Sequence, residues 1–289
     1  MAFKYPDFLV ETEWLAEHLN DSDIRVLDCT AFNRPDGSGG IRAESGRDSW
    51  AEEHIPGSCH ADLVTDLSDQ DASFRYMLPQ VPQLAKAFSS YGVGAGTRAV
   101  LYDSTSGSWA TRIWWMLRAI GFDDAHVLNG GLHKWKLEGR PVDAGQPNYP
   151  PTIFVAKPRA GLMADKNEVL AALGTESTCV LNALSEEQHL GSGGANYGRA
   201  GRIADSVNVP AGDLTDPVTH AYLPAEELAA RFAQVGVDRV EQVITYCGGG
   251  IAASNDAFIL TLLGYENVAV YDASMSEWAA DPSLPMQTG

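Results

Sequence analysis

The feature that most narrows what this chain can fold into is an internal duplication. Leu84 to Asp103 aligns without a gap onto Leu228 to Cys247, with the same residue at 84/228, 85/229, 88/232, 92/236, 93/237 and 102/246. Beyond that block Trp135 matches Trp278, and Val26-Leu27-Asp28 matches Val180-Leu181-Asn182. A repeat this far apart marks a doubled domain rather than a stack of short units, whose periods run from about 20 to 50 residues. The 289 residues suffice for two domains, each with a core of its own.

Both copies follow one order of elements. In the first, Glu13 to Leu19 reads as helix and Ile24 to Cys29 as strand. Pro82 to Ser90 is the next helix, Arg98 to Tyr102 a strand, Trp109 to Ala119 an amphipathic helix closed by Gly121, and His126 to Leu128 a strand before a short helix around Trp135. In the second, Glu168 to Leu173 is helix, Thr178 to Leu181 strand, and Ala225 to Gln234 helix with Pro224 suited to its first turn. The Asn33 to Ser49 and Gly191 to Gly201 segments, rich in glycine and polar residues, read as loops. Strands alternating with helices predict an α/β class: two domains, each a mainly parallel sheet flanked by helices with right-handed crossovers. The expected division is residues 1–144, a proline-bearing linker at 145–161, and 162–289.

The second copy ends in the stretch that carries chemistry. Gln242-Val-Ile-Thr-Tyr246 is a buried strand, Ile251 to Leu263 a helix stopped by Gly264, and between them stands Cys247 followed by Gly248, Gly249 and Gly250. Glycines let successive N–H groups curl inward into an anion-binding nest, and the positive end of the helix dipole favours negative charge at the same place. A thiol there is expected to ionise more readily than a free one, whose pKa is about 8.5. In parallel sheets ligands bind beyond the carboxyl ends of strands, where Cys247 falls. Cys247 is therefore the candidate nucleophile, with the backbone at Gly248, Gly249, Gly250, Ile251 and Ala252 as the group that holds the substrate. The competing reading is a buried, inert core cysteine beside an ordinary turn. The counterpart of Cys247 in the first copy is Asp103, which cannot carry sulfur, so that copy is expected to have lost chemistry and kept a packing role.

Composition excludes several classes. A net charge of −18 disfavours nucleic acid and anionic membranes as partners, and no apolar run approaches the roughly 18 residues of a span. The same charge means that a small anion must be captured by local N–H groups and a few arginines. Cys29, Cys59, Cys179 and Cys247 show neither metal spacing nor a paired pattern, and the first residues lack a secretory h-region, so a reducing cytoplasm is expected.

Taken in order, His54-Ile-Pro-Gly57, Trp114-Trp-Met-Leu-Arg118, Gly130-Gly-Leu-His-Lys-Trp135, Val207-Asn-Val-Pro210, Cys247 with its glycine loop, and Val270-Tyr-Asp-Ala-Ser-Met-Ser-Glu-Trp278 resemble the tandem-rhodanese sulfurtransferases, the thiosulfate and 3-mercaptopyruvate sulfurtransferase family. The resemblance spans nearly the whole chain. It implies a double displacement: the loop cysteine takes the outer sulfur of a small anionic donor as a persulfide, then yields it to a thiol or cyanide acceptor. No metal and no organic cofactor is implied.

The chain departs from the family pattern at several points. Gly248 and Gly249 stand where thiosulfate-type members carry basic residues, and Gly249 also replaces the serine of mercaptopyruvate-type members. Asn182-Ala-Leu184 replaces Asp-Ala-Arg, so a substrate-binding arginine is missing, and Arg202-Ile-Ala-Asp205 stands where His-Ile-Pro-Gly would recur. Arg199, in a glycine-rich loop, is the candidate replacement clamp for the donor's anion, against the alternative of a solvated loop arginine. Arg202 could serve likewise or hold a salt bridge. His54 could transfer protons or simply hold its turn. Cys59 could be a second exposed thiol, whereas Cys29 and Cys179 read as inert. A cysteine phosphatase would need an arginine six positions after the cysteine, and position 253 is alanine. A non-catalytic rhodanese-like binding module is the remaining alternative.

Overall fold

The computed structural model describes residues 2–37, 40–195 and 197–289. Ser38 and Gly39 of the first segment read as a loop, and Asn196 of the second, lie outside the described residues. The first half contains strands β1 (Leu9–Val10), β2 (Ile24–Asp28), β3 (Ala31–Pro35), β4 (Ile41–Ser45), β5 (Cys59–His60), β6 (Arg98–Tyr102) and β7 (Ala125–Leu128). Its helices are α1 (Thr12–His18), α2 (Arg47–Glu52), α3 (Val81–Ser90), α4 (Ser108–Ala119) and α5 (Gly131–Leu137). The second half contains β8 (Met163–Ala164), β9 (Thr178–Asn182), β10 (Arg202–Ile203), β11 (Val207–Asn208), β12 (Gln242–Tyr246), β13 (Val268–Tyr271) and β14 (Met286–Gln287). Its helices are α6 (Lys166–Ala172), α7 (Glu186–Leu190), α8 (Ala225–Gln234), α9 (Ile251–Leu263) and α10 (Ser274–Trp278).

The duplication is visible strand for strand. One five-stranded parallel sheet has the order β5-β2-β6-β7-β1, and the other β11-β9-β12-β13-β8. Such strands are buried on both faces, which is why Ala99 to Tyr102 and Val243 to Tyr246 read as continuous buried runs rather than as alternation. Even the corner contacts repeat. Tyr102 Oη receives Ile55 N–H at 3.2 Å and lies 2.9 Å from Ser58 Oγ, while Tyr246 Oη receives Ile203 N–H at 3.1 Å and lies 2.8 Å from Ser206 Oγ. Each tyrosine is the last residue of its strand and fixes the turn beside it, one position before Asp103 or Cys247.

Three departures from the sequence reading have physical causes. The Asn33 to Ser49 segment is not a plain loop: β3 and β4 pair as an antiparallel hairpin, and α2 follows. Glycine and charge hid the strand signal, because the hairpin stands off the sheet and needs no apolar face. Helix α4 is not amphipathic, since ten of its twelve residues are buried. It packs against its own sheet and against α9, which is equally enclosed, with Trp114 edge-on to Phe258 at 4.8 Å. A helix covered on all sides carries apolar residues all round. Pro224 caps α8 rather than entering it. The segment after α5 runs over the first half, where Thr152 N–H reaches Ser89 O at 3.0 Å and Lys157 N–H reaches Ile120 O at 2.8 Å. One apolar core joins the halves, from Leu27 and Trp114 on one side to Phe258 and Val270 on the other.

Candidate active site

Strand β12 delivers Cys247 to the carboxyl edge of the second sheet, and α9 starts four residues later, with Gly250 at φ +80° as its N-cap. Only glycine takes that backbone state without strain, and a Cβ there would lie 3.0 to 3.2 Å from Asp272 and the Arg112 guanidinium. The cysteine's own main chain is pinned. Its N–H donates to Ser274 Oγ at 3.0 Å, its carbonyl receives Met275 N–H at 3.0 Å, and the Gly248 carbonyl receives Ser276 N–H and Oγ at 3.0 and 2.6 Å. Ser274 is held in the left-handed region at φ +51° by that bond and by its donation to Tyr271 O at 2.7 Å. Such a conformation costs a non-glycine residue about 1–2 kcal/mol, so it marks how firmly the cysteine loop is positioned.

Cys247 is buried, 3% exposed, but it lines a cavity of about 400 Å³ that lies between the two halves. The second half contributes Cys247, Gly248, Gly249, Ile251, Ala252, Leu184, Tyr197 and Ser276. The first half closes it with Phe32 and Ile41 of the hairpin, Arg75 and Tyr76, and Ser106, Ser108 and Trp109 around the start of α4. Tyr197 lies over Gly248 so closely that a Cβ there would meet its hydroxyl at 2.0 Å. Burial, and then the neighbouring Cys247, pushes the Tyr197 phenol up to about 12.

Positions 103 and 247 differ in how the loop that follows each is filled. Asp103 fills its own nest: Oδ1 accepts from Thr105 N–H, Thr105 Oγ1 and Gly107 N–H at 2.8, 2.9 and 3.0 Å, and Oδ2 accepts from Trp109 and Ala110 N–H at 3.0 and 3.1 Å. Around Cys247 the N–H groups of Gly248 through Ala253 have no acceptor among the described residues. The same curl of main chain is thus satisfied from within by a carboxylate in one copy and left open, beside a thiol, in the other. The Rhodanese-like domain family matches the chain twice, at residues 11–138 and 166–281. This chain belongs to the rhodanese-like family.

Its similarity to whole members of the family runs end to end. The chain is 33% identical over 288 residues to a probable 3-mercaptopyruvate sulfurtransferase of Pseudomonas aeruginosa, covering 97% of this chain and 98% of that one. It is 32% identical over 279 residues to the thiosulfate sulfurtransferase of Rattus norvegicus, covering 93% and 91%. The crystal structure of SseA from Escherichia coli, a 3-mercaptopyruvate sulfotransferase with the rhodanese fold, matches with a TM-score of 0.77 at 27% identity, covering 92% of this chain and 98% of that one.

Within this rhodanese-like pair of domains, the residues singled out from sequence separate into two groups. Cys247, Gly248, Gly249, Ile251 and Ala252 line one cavity, and Gly250 stands behind it as the helix cap. Arg199 does not join them. Its guanidinium donates to the carbonyls of Trp278, Ala279, Asp281 and Leu284 at 2.5 to 3.1 Å and ties down the C-terminal segment, so the expected clamp is spent on backbone. Arg202 donates to Gly289 O at 2.8 Å, also away from the cysteine, and makes no salt bridge among the described residues. His54 is fully buried, with Nδ1 2.7 Å from Trp50 O and its ring stacked on Trp50, and it does not line the cavity. Its place in the structure is the turn that Tyr102 fixes. Cys59 is buried rather than exposed, and burial pushes its thiol up to about 12. Cys179 rises to about 11 and Cys29 well above its ordinary range for the same reason. Trp114 and Trp115 are core, as their helix implied.

The sequence reading missed the cavity's far wall. Arg75, Tyr76, Phe32 and Trp109 belong to the copy expected to serve packing alone, yet they face Cys247 across the interface. The Tyr76 carbonyl accepts from Arg112 Nη2 at 2.7 Å, and the same nitrogen lies 2.6 Å from Asp272 Oδ1, a buried ion pair joining the halves. Arg112 sits two residues before the quoted Trp114 motif, and nothing in one sequence shows that it reaches across. Among the described residues no group of three or more His, Cys, Asp or Glu is placed to hold a metal, and no helix is long and apolar enough to cross a membrane.

Proposed function

We propose that Cys247 is the sulfur carrier of this sulfurtransferase, moving sulfane sulfur from a small anionic donor such as thiosulfate or 3-mercaptopyruvate to a thiol or cyanide. The activity class follows from the family and the full-length relatives. The observation that supports Cys247 as carrier is the open nest beside a thiol, set against the self-filled nest of Asp103. In the first half-reaction the thiolate attacks the donor's outer sulfur, a new S–S bond forms, and the donor's remainder leaves with the electron pair of the bond that breaks. The persulfide anion then lies where unpaired N–H groups can stabilise it in a cavity partly walled from water. In the second, the acceptor attacks the outer sulfur and releases the Cys247 thiolate. Oxidation states balance without an external electron carrier.

The division at 1–144, 145–161 and 162–289 is retained as the working domain assignment, with the first domain acting as wall rather than carrier. A cytoplasmic enzyme is the reading that four unpaired cysteines support. The test is to incubate the protein with thiosulfate or 3-mercaptopyruvate and follow Cys247 by intact mass. One added sulfur that cyanide removes as thiocyanate supports the proposal, and Cys247→Ser should abolish it. A Cys247→Ser variant that loads and turns over like wild type would instead favour a non-catalytic binding module or another carrier.

A further inference from the structure

We infer that Arg75, supplied by the domain without a catalytic cysteine, seats the donor's anionic group, and that the donor carries its sulfane sulfur on an apolar organic body. This rests on the sulfurtransferase reading of Cys247 and adds the substrate class.

The first observation concerns charge. Arg75 is the one positively charged residue lining the Cys247 cavity among the described residues, and Leu184 on the opposite wall is uncharged. Arg199 and Arg202 are engaged by main-chain carbonyls elsewhere. Arg75 itself is exposed and has no hydrogen-bond or ion-pair partner among the described residues. Its main chain, by contrast, is fixed. Tyr76 Oη donates to Asn33 Oδ1 at 2.9 Å, the Tyr76 carbonyl accepts from Arg112, and Leu78 N–H donates to Asp272 Oδ2 at 2.7 Å. The Arg75 carbonyl comes within 3.8 Å of where a Gly249 Cβ would lie, so the segment overhangs the cysteine loop. A free guanidinium on a fixed base beside the nucleophile is suited to an oxyanion, which it can grip with two N–H groups.

The second observation concerns the wall. Phe32, Ile41, Trp109, Leu184 and the rings of Tyr76 and Tyr197 face the same space. A cavity of about 400 Å³ falls in the range that encloses organic ligands, about 300–1,000 Å³. Thiosulfate would fill a small part of it and would surrender hydration to apolar side chains that return nothing. A donor of the form R–SO₂–S⁻ with an apolar R uses all three features: sulfane sulfur toward Cys247, sulfonyl oxygens on Arg75, and R against the rings. Attack by the thiolate forms the Cys247 persulfide and breaks the donor S–S bond, whose electron pair leaves on the sulfinate R–SO₂⁻. Charge and atoms balance with no further reagent.

The experiment compares benzenethiosulfonate, methanethiosulfonate and thiosulfate as donors, with cyanide as acceptor, for the wild type, Arg75→Ala and Arg75→Lys. Persulfide on Cys247 is read by intact mass and turnover as thiocyanate. The wild type should show a KM for benzenethiosulfonate at least tenfold below that for thiosulfate. Arg75→Ala should raise KM for all three donors roughly 10- to 100-fold, the range for loss of a charge-assisted contact, and Arg75→Lys should recover part of it. Urea-unfolding midpoints of both variants should match the wild type, showing that the fold is intact. Equal KM values for wild type and Arg75→Ala would overturn the role of Arg75, and a preference for thiosulfate would overturn the apolar donor. Failure of every donor to load the wild type would overturn the sulfur-carrier reading itself.

Discussion

Asp256 offers the sharpest test of the packing between the two domains. It sits on α9 nine positions after the cysteine, fully buried, and neither carboxyl oxygen has a hydrogen-bond partner among the described residues. The duplication explains the omission. Arg112 is its counterpart at the 144-residue offset, and Arg112 pairs with Asp272, whereas the first-half residue at the Asp272 position is Asn129. Asn129 is already committed, receiving Tyr222 N–H at 2.8 Å and donating to Glu11 at 2.7 Å. Burial therefore pushes the Asp256 carboxyl well above the usual carboxylate range. A folded-state value above the unfolded one means that folding takes up a proton, so this group's contribution becomes more unfavourable as pH rises from about 4 toward the folded-state value. The slope is about 1.4 kcal/mol per pH unit, which sets an upper bound of about 4 kcal/mol by pH 7. Asp256→Asn keeps the shape and removes the titration. Urea unfolding at pH 5, 6, 7 and 8 should show the variant more stable than wild type by a margin that grows with pH and vanishes near pH 4. A margin that is flat with pH, or a variant less stable at pH 7, would refute the reasoning.

Three other outcomes follow from the geometry. Gly248→Ala puts a Cβ 2.0 Å from the Tyr197 hydroxyl, so it should cost about 1–3 kcal/mol and slow sulfur loading, while Tyr197→Ala in the same chain should recover stability in a double-mutant cycle. His189 accepts from Asn182 Nδ2 at 3.1 Å, an amide whose orientation is set by Leu184 N–H on its Oδ1. Burial and then Arg202 lower its pKa from 6.5 to about 4, so stability present above pH 6.5 should be lost as pH falls through about 4, by at most about 3 kcal/mol. His189→Gln should flatten that part of a stability profile measured by urea unfolding. Iodoacetamide should label the native protein at Cys247 alone: all four cysteines are buried, but Cys247 lines the cavity between the halves, whereas burial pushes the thiols of Cys29, Cys59 and Cys179 up; labelling of Cys59 before unfolding would contradict this, as peptide mapping can show.

The central strands and helices were legible because their signals are local. Arg98 to Tyr102 and Gln242 to Tyr246 are apolar runs that end where the strands end, and Ala225 to Gln234 carries a buried stripe of Ala225, Leu228 and Phe232. The two-residue strands Leu9–Val10 and Cys59–His60 were not, since they exist through pairing with β7 and β2 and have no pattern of their own. The same distinction holds at the site. Cys247 and its glycines form one contiguous stretch, so the nest could be read directly. Arg75 and Tyr76 come from another domain, 172 and 171 positions earlier, and the α4–α9 packing together with the Leu78 and Arg112 contacts to Asp272 brings them opposite. Arg199 misled for the converse reason: a glycine-rich loop suggested freedom, but the C-terminal carbonyls it serves are distant in sequence.

Leu27, Trp114, Phe258 and Val270 belong to one uninterrupted apolar body, so the older symmetry of two equal units no longer describes how the protein holds together. A cut in the segment after α5 would leave each fragment with a bare helix, α4 or α9, that had never met water. The copy with Asp103 at the cysteine position cannot be shed for this reason. It supplies one wall of the cavity that Cys247 lines, so mutations that loosen α4 will be felt at Cys247 from the far side of the interface.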